Sequence, residues 1–342
     1  MKRNRLKLIS AAALMLAASG LALAQQPVKL RYGTHLGPKA PGVLEGVNVF
    51  AEHVKTLSKG TLDVEVYPSE QAGKALQMFD LVRSGAVDVG SIASAYISSD
   101  KSPLLGIMEI PGLAKSVCGI STVLRKHALP GGVIYETELK PAGMRLLAIN
   151  PYPPYGPAAS RNPINKVEDL KGMKMRVAGG LMELTAQKLG GVPVKLPSTE
   201  VYQALQRGTL DTVLFSFLSV KEYDLASITK YGATGYSWGT PGDTILISER
   251  RLQAMTKEQQ DAVIEAGRRT TEHWCKYVDE KEAQFQAEAR AAGMNIHTWT
   301  ATDVAKLNAL TAEVPNEWAK TLDGRGKPAS KLLQEVRAEL AK

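Results

Sequence analysis

The first ninety residues alternate between two hydrophobic periods, and each change of period predicts a change of secondary structure. Apolar residues at every second position predict strands, and apolar residues three and four positions apart predict helices. Gly60 and Gly85 follow the helical stretches, where helix C-terminal caps belong. The order strand, helix, strand, helix, strand is typical of a parallel sheet. The strands are predicted at 28–34, 62–66 and 86–89, and the helices at 43–57 and 76–82.

A second unit of the same order occurs later in the chain. In both units a strand meets a Pro-Ser pair, a helix ends at glycine, and a strand with an aspartate begins. Units of this kind resemble one another by chance, but the match favours two similar α/β lobes that face each other. The matching residues are Pro68, Ser69, Gly85 and Asp88 in the first unit and Pro197, Ser198, Gly208 and Asp211 in the second.

Two breaker-rich segments mark where the chain crosses between these lobes. Residues 150–157 contain four prolines, which fix φ repeatedly and exclude a helix. Pro241-Gly242, before an apolar strand, is the predicted return crossing. Each lobe is therefore discontinuous in sequence. The predicted division is a signal peptide at 1–24, lobe I at 27–152 plus 242–282, and lobe II at 153–241 plus 283–342.

A long helix is predicted to brace both lobes. Thr256 and Gln259 form a capping-box pattern, and no proline follows before Gly293. At 1.5 Å per residue such a helix spans about 50 Å, more than the width of one lobe. Amphipathic helices interrupted at Pro315 and Gly324 complete the chain.

The N-terminus predicts secretion. Four basic residues precede an apolar, alanine-rich stretch at 8–23, and Ala22-Leu23-Ala24 supplies the cleavage pattern of a signal peptide. The apolar run is short for a spanning helix, although a retained membrane anchor is the alternative. Cleavage would start the mature chain near Gln25 and release it into the periplasm.

Length and charge narrow the function classes. Without its first 24 residues, the 342-residue chain still exceeds the usual limit of one hydrophobic core, which agrees with two lobes. Loss of the four N-terminal charges takes the formal net charge from +8 to +4, and the remaining Lys and Arg are scattered. No nucleic-acid partner is therefore expected. A mildly positive balance suits small acidic ligands.

Cysteine and histidine placement predicts neither a metal site nor a reactive thiol. An oxidising compartment permits a disulfide between Cys118 and Cys275, but two buried, inert thiols are the favoured interpretation. The five histidines are widely dispersed, without metal-ligand spacing. The Walker, dinucleotide and zinc-protease motifs are absent, so no cofactor is expected.

One catalytic motif matches in its residue types alone. Gly235-Tyr236-Ser237-Trp238-Gly239 matches the nucleophile elbow, which needs a helix directly after the serine. An apolar strand follows instead, so a secreted serine hydrolase acting through Ser237 remains only a competing interpretation.

Several residues are candidates for binding rather than catalysis. Arg176 lies near the carboxyl end of an apolar strand, where ligands gather in open α/β sheets; a surface arginine on an edge strand is the alternative. Trp238 lies at the second crossing, either as a cleft wall or as a plug between the lobes. Three further candidates follow or end predicted strands: Phe215, Tyr96 and His35. The alternative for Phe215 is a place in the core, and the alternative for His35 is a structural hydrogen bond.

Two stretches resemble the periplasmic solute-binding proteins of tripartite ATP-independent periplasmic (TRAP) transporters. They are 169–177, Asp-Leu-Lys-Gly-Met-Lys-Met-Arg-Val, and 200–211, Glu-Val-Tyr-Gln-Ala-Leu-Gln-Arg-Gly-Thr-Leu-Asp. Residues 58–60 and 67–73 add weaker support. The resemblance covers nearly all of the chain after the signal peptide, in the expected order.

The resemblance implies an α/β, periplasmic-binding-protein-like fold, with two α/β lobes around a ligand cleft, hinge strands and a long lobe-spanning helix. It implies no enzymatic activity and no cofactor. A monomer would capture an organic acid and deliver it to the small and large membrane subunits of an ion-gradient-driven permease. Arg176 would clamp the ligand carboxylate, while His35 and Tyr96 match positions that contact ligand from the other lobe. Docking on another importer or a sensor is the alternative.

Departures from the family pattern favour an apolar ligand body. Thr212 replaces a glycine, and Phe215-Ser216 replaces an Asn-Pro pair whose Asn helps to hold the carboxylate in many relatives. A second arginine of some relatives is missing where this chain has Tyr155-Gly156-Pro157, which makes Tyr155 a candidate wall residue. The expected ligand is a monocarboxylate with an apolar or aromatic body, rather than a sugar acid or sialic acid.

Overall fold

A computed structural model of the protein describes residues 26–342. The predicted signal peptide of residues 1–24 lies outside that range. Within residues 26–342, no helix combines the length and the apolar character needed to cross a membrane. The described chain forms two α/β lobes, each built on its own mixed β-sheet, as expected.

The first sheet has the strand order β2-β1-β3-β10-β4. Its first three strands in sequence run parallel, as their strand–helix–strand order predicts, whereas β10 lies antiparallel between β3 and β4. The third strand begins three residues later than predicted, because the N–H of Val87 still donates to Leu81 in the preceding turn, at 3.2 Å. The strands are β1 (Val28–Gly33), β2 (Leu62–Tyr67), β3 (Val89–Ala93), β4 (Met144–Pro151) and β10 (Gly242–Ser248).

The second sheet has the order β11-β9-β5-β8-β6-β7. β6 pairs in parallel with β7 and β8, while β5 is antiparallel to β8 and β9. The proline-rich crossing joins β4 of the first sheet directly to β5 of the second, and β10 returns the chain. The strands are β5 (Gly156–Ala159), β6 (Lys174–Val177), β7 (Val192–Lys195), β8 (Thr212–Phe215), β9 (Tyr231–Thr234) and β11 (Asn295–Thr298).

Helices cover both sheets. The helix predicted at 43–57 opens with a π-helical segment, Gly42–Val47, before α1. The glycine caps at Gly60, Gly85 and Gly208 all have positive φ, as their positions predict. The helices are α1 (Asn48–Leu57), α2 (Met78–Ser84), α3 (Ser94–Ile97), α4 (Val117–Ala128), α5 (Leu181–Lys188), α6 (Val201–Arg207), α7 (Phe217–Glu222), α8 (Glu249–Gln253), α9 (Lys257–Ala291), α10 (Ala301–Thr311), α11 (Val314–Asp323) and α12 (Ala329–Leu340).

The predicted long helix is α9, with 35 residues and the predicted capping box between Thr256 and Gln259. It packs on α1, α4 and β4 of the first lobe and on α7 of the second. A side chain at Gly267 would meet the carbonyl oxygen of Leu147 at 2.1 Å, so glycine is needed for the helix to reach β4. Trp274 donates its indole N–H to the Pro151 carbonyl at 2.7 Å. The helix is therefore fastened beside the first crossing.

The expectation of two unpaired thiols is wrong, because Cys118 and Cys275 form a disulfide that ties α4 to α9. Their Cα atoms are 4.8 Å apart although 157 positions separate them in sequence. Asp279 on α9 accepts the N–H groups of Val117 and Cys118, at 3.1 and 3.3 Å. This carboxylate fixes the start of α4 against α9, and so aligns the two cysteines.

The C-terminal helices return to the first lobe. α11 and α12 share a hydrophobic core with α4 through Val314, Leu332 and Val336, all buried. Pro315 lies in the first turn of α11, where a proline is accommodated, and does not interrupt that helix. Every strand lies within the ranges proposed for its lobe, 27–152 plus 242–282 or 153–241 plus 283–342. The proposed lobe II also contains α11 and α12, although these helices share their core with the first lobe; the division into lobe I and lobe II remains a proposal.

Candidate functional site

A narrow cavity lies between the two lobes, beyond the carboxyl ends of β1 and β6. Four of the six predicted site residues line it: His35 and Tyr96 from the first lobe, Tyr155 at the crossing, and Arg176 from the second. The centre of a water-sized sphere can occupy about 20 Å³ of the cavity. Since one water needs about 10–15 Å³ by this measure, a larger ligand requires the walls to move apart.

Arg176 is a buried cation rather than a surface residue. β6 lies between β7 and β8, so its arginine is not on an edge strand, and the residue is 1% exposed. Its Nε donates to the Leu196 carbonyl at 2.9 Å, and one terminal nitrogen donates to Ser198 Oγ at 3.0 Å. These bonds fix the plane of the guanidinium and leave further N–H groups for an acceptor in the cavity.

Phe215 lies beneath the arginine rather than on the cavity wall. Its ring centroid is 4.7 Å from the guanidinium carbon, within the range of a cation–π interaction. The ring stacks on Tyr223 at 5.5 Å and meets the edge of Tyr155 at 5.8 Å. An aromatic cluster therefore supports the buried charge from below.

Tyr96 links the lobes through Ser198. Its hydroxyl accepts the backbone N–H of Ser198 at 2.8 Å and donates to the serine Oγ at 3.0 Å. The same Oγ accepts from Arg176. A first-lobe tyrosine thus shares one serine with the second-lobe arginine, so closure of the lobes and placement of the guanidinium are coupled.

His35 makes a second contact between the lobes. Its Nε2 lies 3.1 Å from the hydroxyl of Tyr223, which follows α7. Burial lowers the pKa of His35; the neighbouring carboxylate of Asp243 opposes this effect, and Arg176 adds to it. A neutral imidazole is therefore favoured at neutral pH, and it can accept from or donate to the tyrosine.

Two carboxylates lie near the crossing: Asp243, which is buried and lines the cavity, and Glu222, which is partly buried and lies behind Tyr152. Glu222 accepts the N–H of Gly42 and the hydroxyl of Tyr152, both at 2.8 Å. Burial, followed by the charge of Asp243, raises the pKa of Glu222 to about 8. Burial also raises the pKa of Asp243, which lines the cavity. The cavity wall therefore carries the guanidinium of Arg176 from one lobe and the carboxyl group of Asp243 from the other, and both carboxyl groups have raised pKa values.

Among the residues of the cavity wall that sequence reasoning missed, four carry polar groups that contact or face the charged residues of the site. Two of them had a signal in the sequence: Asp243 directly follows Pro241-Gly242, and Ser198 belongs to the repeated Pro-Ser pair. Polar residues directly after crossings and turns adjoin clefts. The two tyrosines had no sequence pattern that points to a cleft: Tyr152 follows a proline, and Tyr223 follows the charged end of a helix. The four residues are Tyr152, Ser198, Tyr223 and Asp243.

Trp238 and Ser237 lie outside the cavity. Trp238 is 1% exposed and packs in the hydrophobic core, with its ring edge toward Tyr236 at 6.0 Å. Its backbone N–H donates to the carbonyl of Tyr155 at 3.1 Å, which joins the two crossings. Ser237 Oγ accepts the N–H of Gly239 at 3.3 Å, and β10 follows where a nucleophile elbow needs a helix.

The described residues contain no cluster of three or more His, Cys, Asp or Glu side chains suited to a metal ion. Chemically, the cavity can accommodate an anion at Arg176, with aromatic rings and further donor and acceptor groups on the rest of its wall. A planar guanidinium matches a carboxylate through two parallel hydrogen bonds.

Comparison with known proteins agrees with this arrangement. The family model of the bacterial extracellular solute-binding proteins, family 7, matches residues 33–321. A solute-binding protein of Albidiferax ferrireducens is 28% identical over 269 residues, which cover 74% of this chain and 78% of the relative.

Solved structures share the fold. A TRAP solute-binding protein from a marine metagenome, specific for aromatic acid ligands and in complex with metahydroxyphenylacetate, has a TM-score of 0.85 at 24% identity; the match covers 92% of this chain and 98% of that one. A TRAP protein of a Sulfitobacter species with bound β-D-galacturonate has a TM-score of 0.79 at 20% identity, over 91% and 100% of the two chains. Because the family model spans both lobes, the chain belongs to the extracytoplasmic solute-binding proteins of TRAP transporters.

Proposed function

We propose that the protein captures a small monocarboxylate with an aromatic or apolar body and delivers it to a TRAP permease. The observation that carries the proposal is the buried guanidinium of Arg176, held by Leu196 and Ser198 over the ring of Phe215. A buried cation is costly unless it is paired, and an anionic ligand group supplies the missing partner. A charge-assisted hydrogen bond of this kind contributes roughly 1.5–3 kcal/mol.

The walls favour a planar or apolar body. Tyr155 and Tyr223 stand beside the guanidinium, and Ala178 and Met182 add apolar surface from the second lobe. Aromatic side chains make large contact areas with a ring and prefer offset or edge-on packing. The similar structure with TM-score 0.85 is specific for aromatic acids, which supports the proposal, whereas the galacturonate-bound structure marks the competing ligand class.

Binding and closure act together in this proposal. Tyr96 with Ser198, and His35 with Tyr223, join the lobes only when the cleft is shut. A ligand that bridges the lobes adds its own contacts to the closed state and selects it by differential affinity. Closure removes water from the carboxylate–guanidinium pair, which strengthens the pair.

Family membership makes the chain a binding protein rather than an enzyme, so Ser237 needs no catalytic role. Its proposed partners are the small and large membrane subunits of a TRAP permease, reached from the periplasm after cleavage of the signal peptide. The protein is proposed to act as a monomer. The competing assignment is an importer of another class or a sensor; neighbouring genes for two membrane subunits, one small and one large, support the permease.

A thermal-shift panel tests the ligand class. Protein unfolded and refolded to remove carried-over ligand is screened against aromatic, aliphatic and sugar acids at equal concentration. Aromatic or apolar monocarboxylates should raise the midpoint of unfolding most, because a ligand that binds only the folded state stabilises it. Stabilisation by polyhydroxylated acids alone would refute the proposed ligand class.

A further inference from the structure

Asp243 lines the cavity from the first lobe, whereas Arg176 lines it from the second. It is the second residue of β10, paired with Ala93 of β3 and Asn150 of β4, so the centre of the first sheet holds it rigidly. The residue is 6% exposed and lines the same cavity as the guanidinium. The two charged groups therefore belong to different lobes and address one bound molecule from two sides.

The donors around Asp243 are already engaged. Tyr152 lies close enough to favour the ionised form of Asp243 by a hydrogen bond. A tyrosine has one hydroxyl proton, however, and the 2.8 Å contact directs it to Glu222, which also takes the N–H of Gly42. Within residues 26–342, Tyr152 is therefore the donor that reaches the carboxylate of Asp243, and Asp243 shares it with Glu222.

The charge of Asp243 affects which ligands the cavity can bind. An acid bound at Arg176 brings one negative charge into a space that already faces Asp243. The arginine can neutralise one anion, and burial keeps His35 from serving as a second cation. A ligand with only a carboxylate and a hydrocarbon body would leave the oxygens of Asp243 buried against apolar surface, and an unsatisfied buried acceptor weakens binding, the more so when it is charged.

We propose that Asp243 is a specificity-determining residue that accepts a hydrogen bond from a hydroxyl or ammonium group on the ligand. This inference rests on the proposed function and narrows its ligand class to hydroxy- or amino-substituted carboxylic acids with a compact apolar or aromatic body. Arg176 holds the carboxylate end, and Asp243 selects the substituent at the other end. A buried acceptor discriminates strongly against an analogue that lacks the donor, because the acceptor is then left unpaired.

Acids of similar size that differ in hydrogen-bond donors distinguish recognition by Asp243 from recognition by Arg176. Calorimetry is performed with benzoates that carry a hydroxyl, an aminomethyl, a methyl or a methoxy group at the meta or para position, so that size varies little while donor capacity changes. We expect the best donor-bearing acid to bind at least about tenfold more tightly than its methyl and methoxy counterparts. The hydroxyl and aminomethyl series then distinguishes a neutral donor from a cationic one.

Two variants tie the preference to Asp243. Asp243→Ala should abolish the preference for donors, bringing donor-bearing and methyl acids within about threefold of each other. Asp243→Asn keeps the side-chain volume and an acceptor oxygen, so it should retain hydroxyl acids and lose aminomethyl acids. Asp261→Asn, on an exposed face of α9, is the matched control and should bind as the unaltered protein does.

The outcomes separate the two claims. Equal affinity of the unaltered protein for hydroxyl and methyl acids would overturn the role of Asp243 while leaving carboxylate capture intact. A donor preference that survives in a folded Asp243→Ala protein would also overturn it, as would unchanged binding of the aminomethyl acids by Asp243→Asn. Failure of every carboxylic acid to bind the unaltered protein would remove the proposed function, and this inference with it.

Discussion

The guanidinium of Arg176 lies 4.7 Å from the ring centroid of Phe215, and both groups are almost fully buried. The ring occupies the position where many relatives are expected to carry a carboxylate-binding asparagine. In this chain a cation–π contact between Phe215 and Arg176 stands where that asparagine is expected. In the proposed function the arginine is therefore the principal anchor for an acid, and the ligand carboxylate would depend on one side chain more than on a network.

Replacing Arg176 should therefore weaken binding severely. Arg176→Ala is expected to reduce affinity by at least about tenfold for every acid in the panel, because the buried carboxylate loses its counter-charge. Arg176→Lys should also bind more weakly than the unaltered protein, since an ammonium cannot reproduce the planar fork. Calorimetry measures both. Lys174→Ala, an exposed cation two positions earlier on β6, should leave affinity unchanged; an equal loss there would indicate a general charge effect.

Phe215 should contribute through its ring and not only through its volume. Phe215→Leu is expected to weaken binding by roughly two- to thirtyfold, which corresponds to the range of about 0.5–2 kcal/mol for a cation–π contact. Phe217→Leu is the control, because this buried phenylalanine packs in the same core without contacting the guanidinium. Calorimetry at matched fractions of folded protein separates affinity from stability. Equal affinity of Phe215→Leu and the unaltered protein would show that the ring contact does not support binding.

Much of the fold could be predicted from patterns of neighbouring residues in the sequence. Alternating periods located the strand–helix units, glycines with positive φ ended three helices where expected, and the capping box of Thr256 marked the start of α9. Arg176 could be predicted to lie beside the cleft because its motif places a charge at the end of a strand. Such features depend on neighbours in sequence, which the sequence displays directly.

The missed features depend on contacts between distant segments. Cys118 and Cys275 meet only because α4 begins against α9, with Asp279 fixing the junction. Glu222 looks like an ordinary charge at a helix end until Gly42, 180 positions away, donates to it. Trp238 illustrates the same limit: an aromatic residue at a crossing predicts either a cleft wall or a plug between the lobes, and only the fold shows that it packs in the core.

The hydroxyl of Tyr96 should control closure. Tyr96→Phe removes both hydrogen bonds to Ser198 and leaves its backbone N–H buried without that partner, a loss of about 1–3 kcal/mol from the closed state. Affinity should fall between about fivefold and a hundredfold, mainly through faster ligand dissociation in stopped-flow measurements. Tyr236→Phe deletes a hydroxyl bonded to Thr311 away from the cavity, and its dissociation rate should be unchanged. Slower association with normal dissociation in Tyr96→Phe would contradict a role in holding the cleft shut.

The disulfide should stabilise the fold without affecting the ligand. Cys118 and Cys275 close a loop with a sequence separation of 157, for which chain entropy gives as much as about 5 kcal/mol. The double variant Cys118→Ser with Cys275→Ser should lose on the order of ten degrees in unfolding midpoint. Its affinity should remain within about twofold, because neither cysteine lines the cavity. Reductant should lower the midpoint of the unaltered protein but not of the variant; a strong loss of affinity would place the disulfide in the closure mechanism.

Glu222 should make stability fall as pH rises. Its folded-state pKa of about 8 lies above the ordinary value of 4.5, so the folded protein binds a proton that the unfolded chain releases. The resulting stability is fully present below about pH 4.5 and is lost as pH rises through 8; at pH 7 the loss is roughly 3 kcal/mol. Asp243 has a raised pKa and acts in the same direction, whereas the lowered pKa of His35 favours the folded state as pH rises toward 6.5.

Glu222→Gln isolates this contribution, because the amide keeps the volume and an acceptor for the N–H of Gly42 while removing the charge. The variant and the unaltered protein should have similar unfolding midpoints near pH 5. Near pH 8.5 the variant should unfold several degrees higher, since it has no carboxylate to ionise in a buried site. Parallel curves across this range would mean that Glu222 is already ionised in the folded protein, stabilised by Gly42 and Tyr152 alone.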